Sequence, residues 1–181
     1  MARQLWLLRH GDAEPHGARR DFERRLTERG ERQARAAGLA IRRLSVTFDR
    51  VLFSPKVRAR ATAELAAAQW SEQQRELLEE HEPLAGGYGA AQALDALAGV
   101  SAPDGKLLLV GHEPDLSLAV GELTGARIDL KKGGLAVLRL ESAAGGELAV
   151  LLRPREIALI ADGVGAVSGT AGVGGIPIDR D

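Results

Sequence analysis

Four consecutive apolar residues, Leu107-Leu108-Leu109-Val110, stand between Lys106 and Gly111-His112. A run that short, with no polar residue alternating through it, reads as a strand buried on both faces. Such a strand needs a helical layer on each side of its sheet. Gln4–Leu8 and Arg50–Phe53 read as strands of the same kind. Helical patterns separate them. Thr27 is placed to cap a helix reaching about Leu44, with Ala34, Ala37, Gly38, Ile41 and Leu44 at three- and four-residue spacing. Ser54-Pro55 is expected to open a second helix, proline in its first turn, with Val57, Ala61, Leu65 and Ala68 as its buried stripe. Ala90–Leu97 reads as a helix, Asp115 as the cap of another ending near Leu123, and Pro154–Ile160 as the last. Residues 71–87 are acidic and irregular, with Pro83 and Gly86-Gly87. Leu135–Leu140 and Glu147–Leu152 alternate around Gly145-Gly146 and predict a β-hairpin. The order predicts an α/β three-layer sandwich, its sheet mainly parallel with an antiparallel edge hairpin.

A chain of 181 residues suits a single domain, here expected over residues 1–161. A Gly-rich tail is expected over 162–181, flexible or draped on the surface. Its Gly163-Val164-Gly165 does not make a dinucleotide fingerprint, because the third glycine is out of place and no βαβ unit follows. Cysteine is absent, which excludes disulfides, thiolate catalysis and zinc–cysteine sites. No run approaches eighteen apolar residues, and the first apolar stretch is too short for a signal-peptide core; the expectation is a cytoplasmic protein with no membrane span. The net charge of −1 hides an asymmetry. Residues 1–60 carry 15 Lys+Arg against 7 Asp+Glu, so the rest of the chain is acidic. That surplus points to an anionic ligand, or simply to solvated helix faces.

In open α/β sheets ligands lie beyond the carboxyl ends of the strands. Here the first strand ends in Arg9-His10-Gly11, the second in Ser54-Pro55 with Arg58 one turn on, and the buried strand in Gly111-His112. Two histidines and two arginines therefore share one rim. Arginines fork onto phosphoryl oxygens and a histidine can attack phosphorus. Gly11 and Gly111 are expected to let backbone approach the ligand closely.

Arg9-His10-Gly11 after an N-terminal strand resembles the signature of the histidine phosphatase superfamily. The block Leu8-Arg9-His10-Gly11-Asp12-Ala13 is similar to SixA-type phosphohistidine phosphatases. So are Leu26-Thr27-Glu28-Arg29-Gly30, Ser54-Pro55-Lys56-Val57-Arg58-Ala59 with Thr62, and Gly111-His112-Glu113-Pro114, in the family's order from residue 3 to about 160. The resemblance implies a phosphatase with a phosphohistidine intermediate on His10. Arg9, Arg58 and His112 would hold the phosphoryl oxygens, His112 as a cation or hydrogen-bond donor. Arg24 matches a SixA-type arginine near the phosphate, although Arg25 stands where the family has proline. Glu79, Glu80 and Glu82 lie in the stretch where other members carry a general acid, and Asp12 is near His10; Glu82 and Asp12 are the candidates. SixA-type members look weak in this function, which favours phosphohistidine or phosphoanhydride substrates. Only 43 residues separate Thr62 from Lys106, too few for the large covering insertion of mutase-like relatives.

No cofactor is expected. A metal on His10, Asp12, His16, His112 and Asp115 is disfavoured by the arginines at the same rim. Nucleic acid is disfavoured because aromatics are only 3% of the chain, too few for a stacking platform. The expected partner is a phosphorylated protein carrying phosphohistidine, or alternatively a nucleotide polyphosphate or inorganic polyphosphate. A non-catalytic phosphate-binding module is the remaining reading. Arg19 and Arg20, with Arg24, are expected to face the substrate beyond the scissile phosphate.

Overall fold

The computed structural model describes residues 2–142 and 145–163. The elements run β1 (Arg3–Arg9), α1 (Glu28–Arg43), β2 (Arg50–Phe53), α2 (Val57–Ala67), α3 (Glu72–Arg75), β3 (Leu78–Glu80), α4 (Ala90–Ala98), β4 (Lys106–Gly111), α5 (Asp115–Thr124), β5 (Leu135–Ser142), β6 (Gly145–Leu152) and α6 (Pro154–Asp162). Short 3-10 turns cover Asp21–Glu23 and Glu82–Ala85. The sheet order is β3-β2-β4-β1-β5-β6, parallel from β3 to β1 and antiparallel across β1-β5-β6. The expected mainly parallel sheet with an antiparallel edge pair is what forms.

The strand pleat sorts the core into two layers. Leu5, Leu7, Leu107 and Leu109 face one way, into a cluster with Ala93 and Leu97 of α4 and Leu116 and Val120 of α5. Trp6, Leu8, Leu108 and Val110 face the other way, onto Ala37 and Ile41 of α1, Ala59 and Ala63 of α2, and Ile157 of α6. Thr27 caps α1 as expected, its hydroxyl accepting from Gly30 N at 3.1 Å.

Several boundaries differ from the sequence reading. The second helix starts at Val57, because Ser54 still extends the ladder, donating from its N–H to Val110 O at 3.0 Å. Pro55 pushes the residue before it out of helical geometry. The buried face of α2 is Ala59, Ala63, Ala66 and Ala67 with Arg58 and Thr62, not the Val57–Ala68 stripe. Small residues win there because α1 approaches at Gly38, where a Cβ would stand 2.0 Å from Ala66 O. Asp115 is the first helical residue and not the cap; its Oδ2 accepts from Tyr88 N. The irregular stretch contains α3 and the edge strand β3, whose side chains are largely exposed, so no apolar pattern announced it. Gly145-Gly146 open β6 instead of forming the hairpin turn. Gly163 ends α6 with φ 74°, and the rest of the expected tail lies outside the described residues. Among the described residues no helix is long and apolar enough to cross a membrane.

Candidate active site

The parallel register sets Arg9 opposite Gly111 and Phe53 opposite Val110, so Arg9-His10, Ser54 and Gly111-His112 emerge together from three neighbouring strands. His10 N–H donates to Gly111 O at 3.1 Å, carrying the ladder one residue past β1. Both histidines are buried, their rings 5.1 Å apart between centroids.

The His10 ring is fixed by two contacts. Nδ1 lies 2.7 Å from Gly11 O, and a carbonyl only accepts, so Nδ1 carries the proton. Nε2 then carries the ring's one available lone pair, which accepts from Arg58 Nε at 3.3 Å. Burial, reinforced by Arg58, Arg9 and Lys132, pushes the His10 pKa down to about 3 against the pull of the Gly11 carbonyl. The neutral imidazole is the nucleophilic form, and the long hydrogen bond from Arg58 must give way when Nε2 attacks. His112 Nε2 meets Ser54 Oγ at 2.8 Å, and its Nδ1 has no partner among the described residues. Burial, then His10 and Arg58, pushes its pKa down to about 2. Of the two roles expected for His112, this favours neutral hydrogen-bond donor over cation.

Thr62 ties the nucleophile's loop to α2: its hydroxyl accepts from Gly11 N at 3.1 Å and donates to Arg58 O at 2.7 Å. Gly11 is needed for a different reason than expected. A Cβ there would lie 2.4 Å from Gly30 O, so the close approach is to α1 and not to a ligand. At Gly111 a Cβ would meet only side chains, Leu116 at 3.3 Å and Leu84 at 3.4 Å, a far looser fit.

A cavity of about 440 Å³ opens over these residues, lined by Arg9, His10, Arg24, Lys56, Arg58 and His112 among others. Arg24 and Arg58 are buried and held by Asp21. Arg24 donates to Asp21 Oδ1 at 2.8 Å, Arg58 to Asp21 O at 2.6 Å, and Lys56 to Asp21 Oδ2 at 2.9 Å. Lys56 first, then Arg24 and Arg58, hold the Asp21 carboxyl well below the usual carboxylate range. Arg9 donates to Leu130 O at 2.8 Å while its buried Nε has no partner among the described residues. Lys132 reaches the same cavity because Gly133 N–H donates to His10 O at 2.9 Å, pinning the chain before β5 against the end of β1.

Other expected site residues lie elsewhere. Asp12 is outside the cavity, bonded to Lys132 at 2.7 Å and Thr27 at 3.0 Å, with its carboxyl lowered chiefly by Lys132. Glu82 is exposed on its 3-10 turn and does not line the cavity. Glu79 and Glu80 pair with Arg50 and Arg60. Arg19 is exposed and paired with Glu14 at 3.0 Å; neither it nor Arg20 lines the cavity.

Four carboxylates do line the cavity: Glu14, Asp21, Glu113 and Asp115. Glu14 binds Arg19 and Arg25 N, Asp21 binds three cations, and Asp115 accepts from Tyr88 N. Glu113, half-buried beside His112, accepts only from Ser117 N at 3.2 Å, and burial pushes its pKa up. The sequence shows Glu113 only as part of the Gly111–Pro114 motif, and neither Lys132 nor Asp21 carries a local signal of its place at the site. Lys132 was legible only from topology: a strand antiparallel to β1 must begin where β1 ends.

A family model, histidine phosphatase superfamily (branch 1), matches residues 5–84. An uncharacterized protein of Picosynechococcus sp. is 34% identical over 168 residues, 84% of this chain and 97% of that protein. The solved structure of the protein histidine phosphatase SixA complexed with tungstate has a TM-score of 0.70 at 24% identity, over 85% of this chain and 99% of that one. A putative phosphohistidine phosphatase SixA from Nakamurella multipartitia has the same TM-score at 29% identity, over 85% and 97%.

Proposed function

This chain belongs to the histidine phosphatase superfamily, and on that premise we propose that it is a phosphatase that passes its substrate's phosphoryl group to His10 and then to water. The observation that carries the reading is the neutral His10, which lines a cavity walled by Arg9, Arg24, Arg58 and Lys56 and whose Nε2 meets only a long hydrogen bond from Arg58 among the described residues. In the first step Nε2 bonds to phosphorus while the bond from phosphorus to the leaving atom breaks and its electron pair stays on that atom. The arginines and His112 stabilise the charge spread over the equatorial oxygens. Glu113 supplies the proton that the leaving group needs. Unlike Glu14 and Asp21 it pairs with no cation among the described residues, and burial pushes its pKa up, so in this reading it takes the place of Glu82 and Asp12. In the second step water attacks the phosphorus, Glu113 takes back a proton, and His10 leaves as the neutral imidazole.

Protein phosphohistidine is the substrate best supported. The connection between α2 and β4 is short, built only of α3, β3, a 3-10 turn and α4, and it brings only Ala85, Gly86 and Gly87 to the cavity lining, which favours access by a side chain on a protein surface. The likeness to SixA structures supports the same choice. Hydrolysis of nucleotide or inorganic polyphosphate at the same site is the second reading, favoured by the basic cleft that adjoins the cavity through Lys132.

Alkaline quench after brief reaction with labelled substrate should trap a base-stable, acid-labile adduct, absent in His10→Ala. A substrate panel of phosphohistidine protein, tripolyphosphate and phosphoserine then ranks kcat/KM. Turnover by His10→Ala near the native rate would refute the mechanism.

A further inference from the structure

A second cleft of about 450 Å³ lies beside the first, where the starts of α1 and α6 meet the segment leading into β5. It is lined by Arg29, Lys131, Lys132, Arg153 and Arg155, with Asp12 the sole carboxylate among the lining residues. Asp12 is bound by Lys132, and Lys131 pairs with Asp129. Arg29, Arg153 and Arg155 have no carboxylate within 4.0 Å among the described residues. All three are exposed. Three unpaired guanidinium groups around a concave surface repel one another. A stable fold tolerates this where water and salt screen the charges, and the arrangement gains most from an anion that draws them together. The mechanism uses none of the three.

Position gives the cleft its meaning. Lys132 lines both this cleft and the cavity over His10, so the two adjoin at that residue. Arg29 brings a residue of the basic first sixty to this cleft, and Arg153 and Arg155 come from the far end of the chain.

We propose that this cleft is a second anion-binding site whose ligand is a compact oligoanion of linked phosphate groups, as in an oligophosphate or a nucleotide's polyphosphate tail. Guanidinium forks match phosphate oxygens, and a chain of phosphates beginning at His10 has a basic path past Lys132 to Arg29, Arg153 and Arg155. A single orthophosphate fills the cavity at His10 and does not need the cleft. The kinetic readout below rests on the phosphatase reading; the binding readout does not.

The probes are inorganic tripolyphosphate and orthophosphate at fixed ionic strength, on the native chain and on the Arg29→Gln/Arg155→Gln double variant. Calorimetric titration reads binding directly, and inhibition of p-nitrophenyl phosphate hydrolysis reads it through activity. The double variant should bind tripolyphosphate at least tenfold more weakly. Its orthophosphate affinity and its p-nitrophenyl phosphate kinetics should stay within twofold. The Arg29→Lys/Arg155→Lys variant, which keeps the charge without the fork, should fall between the two. Equal weakening for both anions would mean a diffuse field and not a site, and unchanged tripolyphosphate affinity would place the chain elsewhere; either overturns the proposal. Absence of any p-nitrophenyl phosphate turnover by the native chain would refute the phosphatase reading and leave the titration to decide the cleft.

Discussion

Gly30→Ala tests how the nucleophile is positioned, from a residue that lines neither cleft. A Cβ on Gly30 would stand 1.9 Å from Asp12 O, 2.8 Å from its C and 2.9 Å from its N, whereas ordinary contact begins at 3.4 Å. Backbone must therefore move by about 1.5 Å. Asp12 O cannot swing freely, because Thr27 N donates to it at 3.0 Å and Asp12 N donates to Gln33 Oε1 at 2.8 Å. His10 is two residues upstream and moves with it. Alanine in a helix gains up to about 1 kcal/mol over glycine, but forcing atoms into packed backbone costs about 1–3 kcal/mol, so the clash wins. At about 2–4 °C per kcal/mol for a chain of this size, Tm should fall by several degrees. Displacing reacting groups by about 1 Å costs roughly a hundredfold in rate, so kcat should fall on that scale while the folded far-UV spectrum persists. The assay is p-nitrophenyl phosphate turnover beside a circular-dichroism melt. Gly121→Ala is the control: it lies inside α5 with its nearest neighbour at 3.5 Å, and should leave kcat unchanged and Tm equal or higher. Native kcat and native Tm in Gly30→Ala would refute the claim that packing of α1 sets the position of His10.

Arg58→Ala should lower kcat/KM by roughly a hundredfold or more, and Arg58→Lys should not restore it, since one ammonium cannot reproduce donation to both His10 and Asp21; a loss of only a few-fold would place Arg58 outside the reacting centre. The His10 and His112 ring signals in NMR should stay at their neutral positions from pH 8 down to pH 5, because their folded pKa values lie at about 3 and about 2. Below about pH 6.5 the unfolded chain gains protons that these folded histidines refuse, so the urea midpoint should fall as pH drops from there and not rise; titration of either ring near pH 6.5 would contradict the burial argument. Glu113→Gln should slow esters of poor leaving groups strongly and p-nitrophenyl phosphate only slightly, and should abolish an alkaline limb of kcat/KM that lies above the ordinary glutamate range; equal slowing of all leaving groups would remove Glu113 from proton transfer. Activity should survive excess EDTA, the arginines supplying the positive charge; loss with rescue by a divalent ion would overturn this.

The residues that name the site are local: Arg9-His10-Gly11, Ser54 to Arg58 and Gly111-His112 each follow a strand, and the rule that ligands gather at strand ends joined them before any coordinate did. The strands themselves were legible because a double-faced apolar run such as Leu107–Val110 has few other uses. What sequence could not decide was anything set by contacts between distant segments. The exposed edge strand β3 has no apolar pattern to betray it. Which face of α2 is buried depended on the backbone of α1 arriving at Gly38. The protonation of His10 and His112 depended on burial that only packing creates, and the choice among carboxylates depended on which ones found cations. Glu82, apt by position, does not line the cavity, while Glu113, adjacent to His112, lines it half-buried and with no cation paired to it among the described residues. The charge asymmetry was real in the sequence, yet its focus was tertiary: Arg29 meets Arg153 and Arg155 only because α1 packs against α6. Side-chain chemistry is written residue by residue, whereas electrostatic environment is a property of distances, and distances between remote residues exist only once the chain has folded.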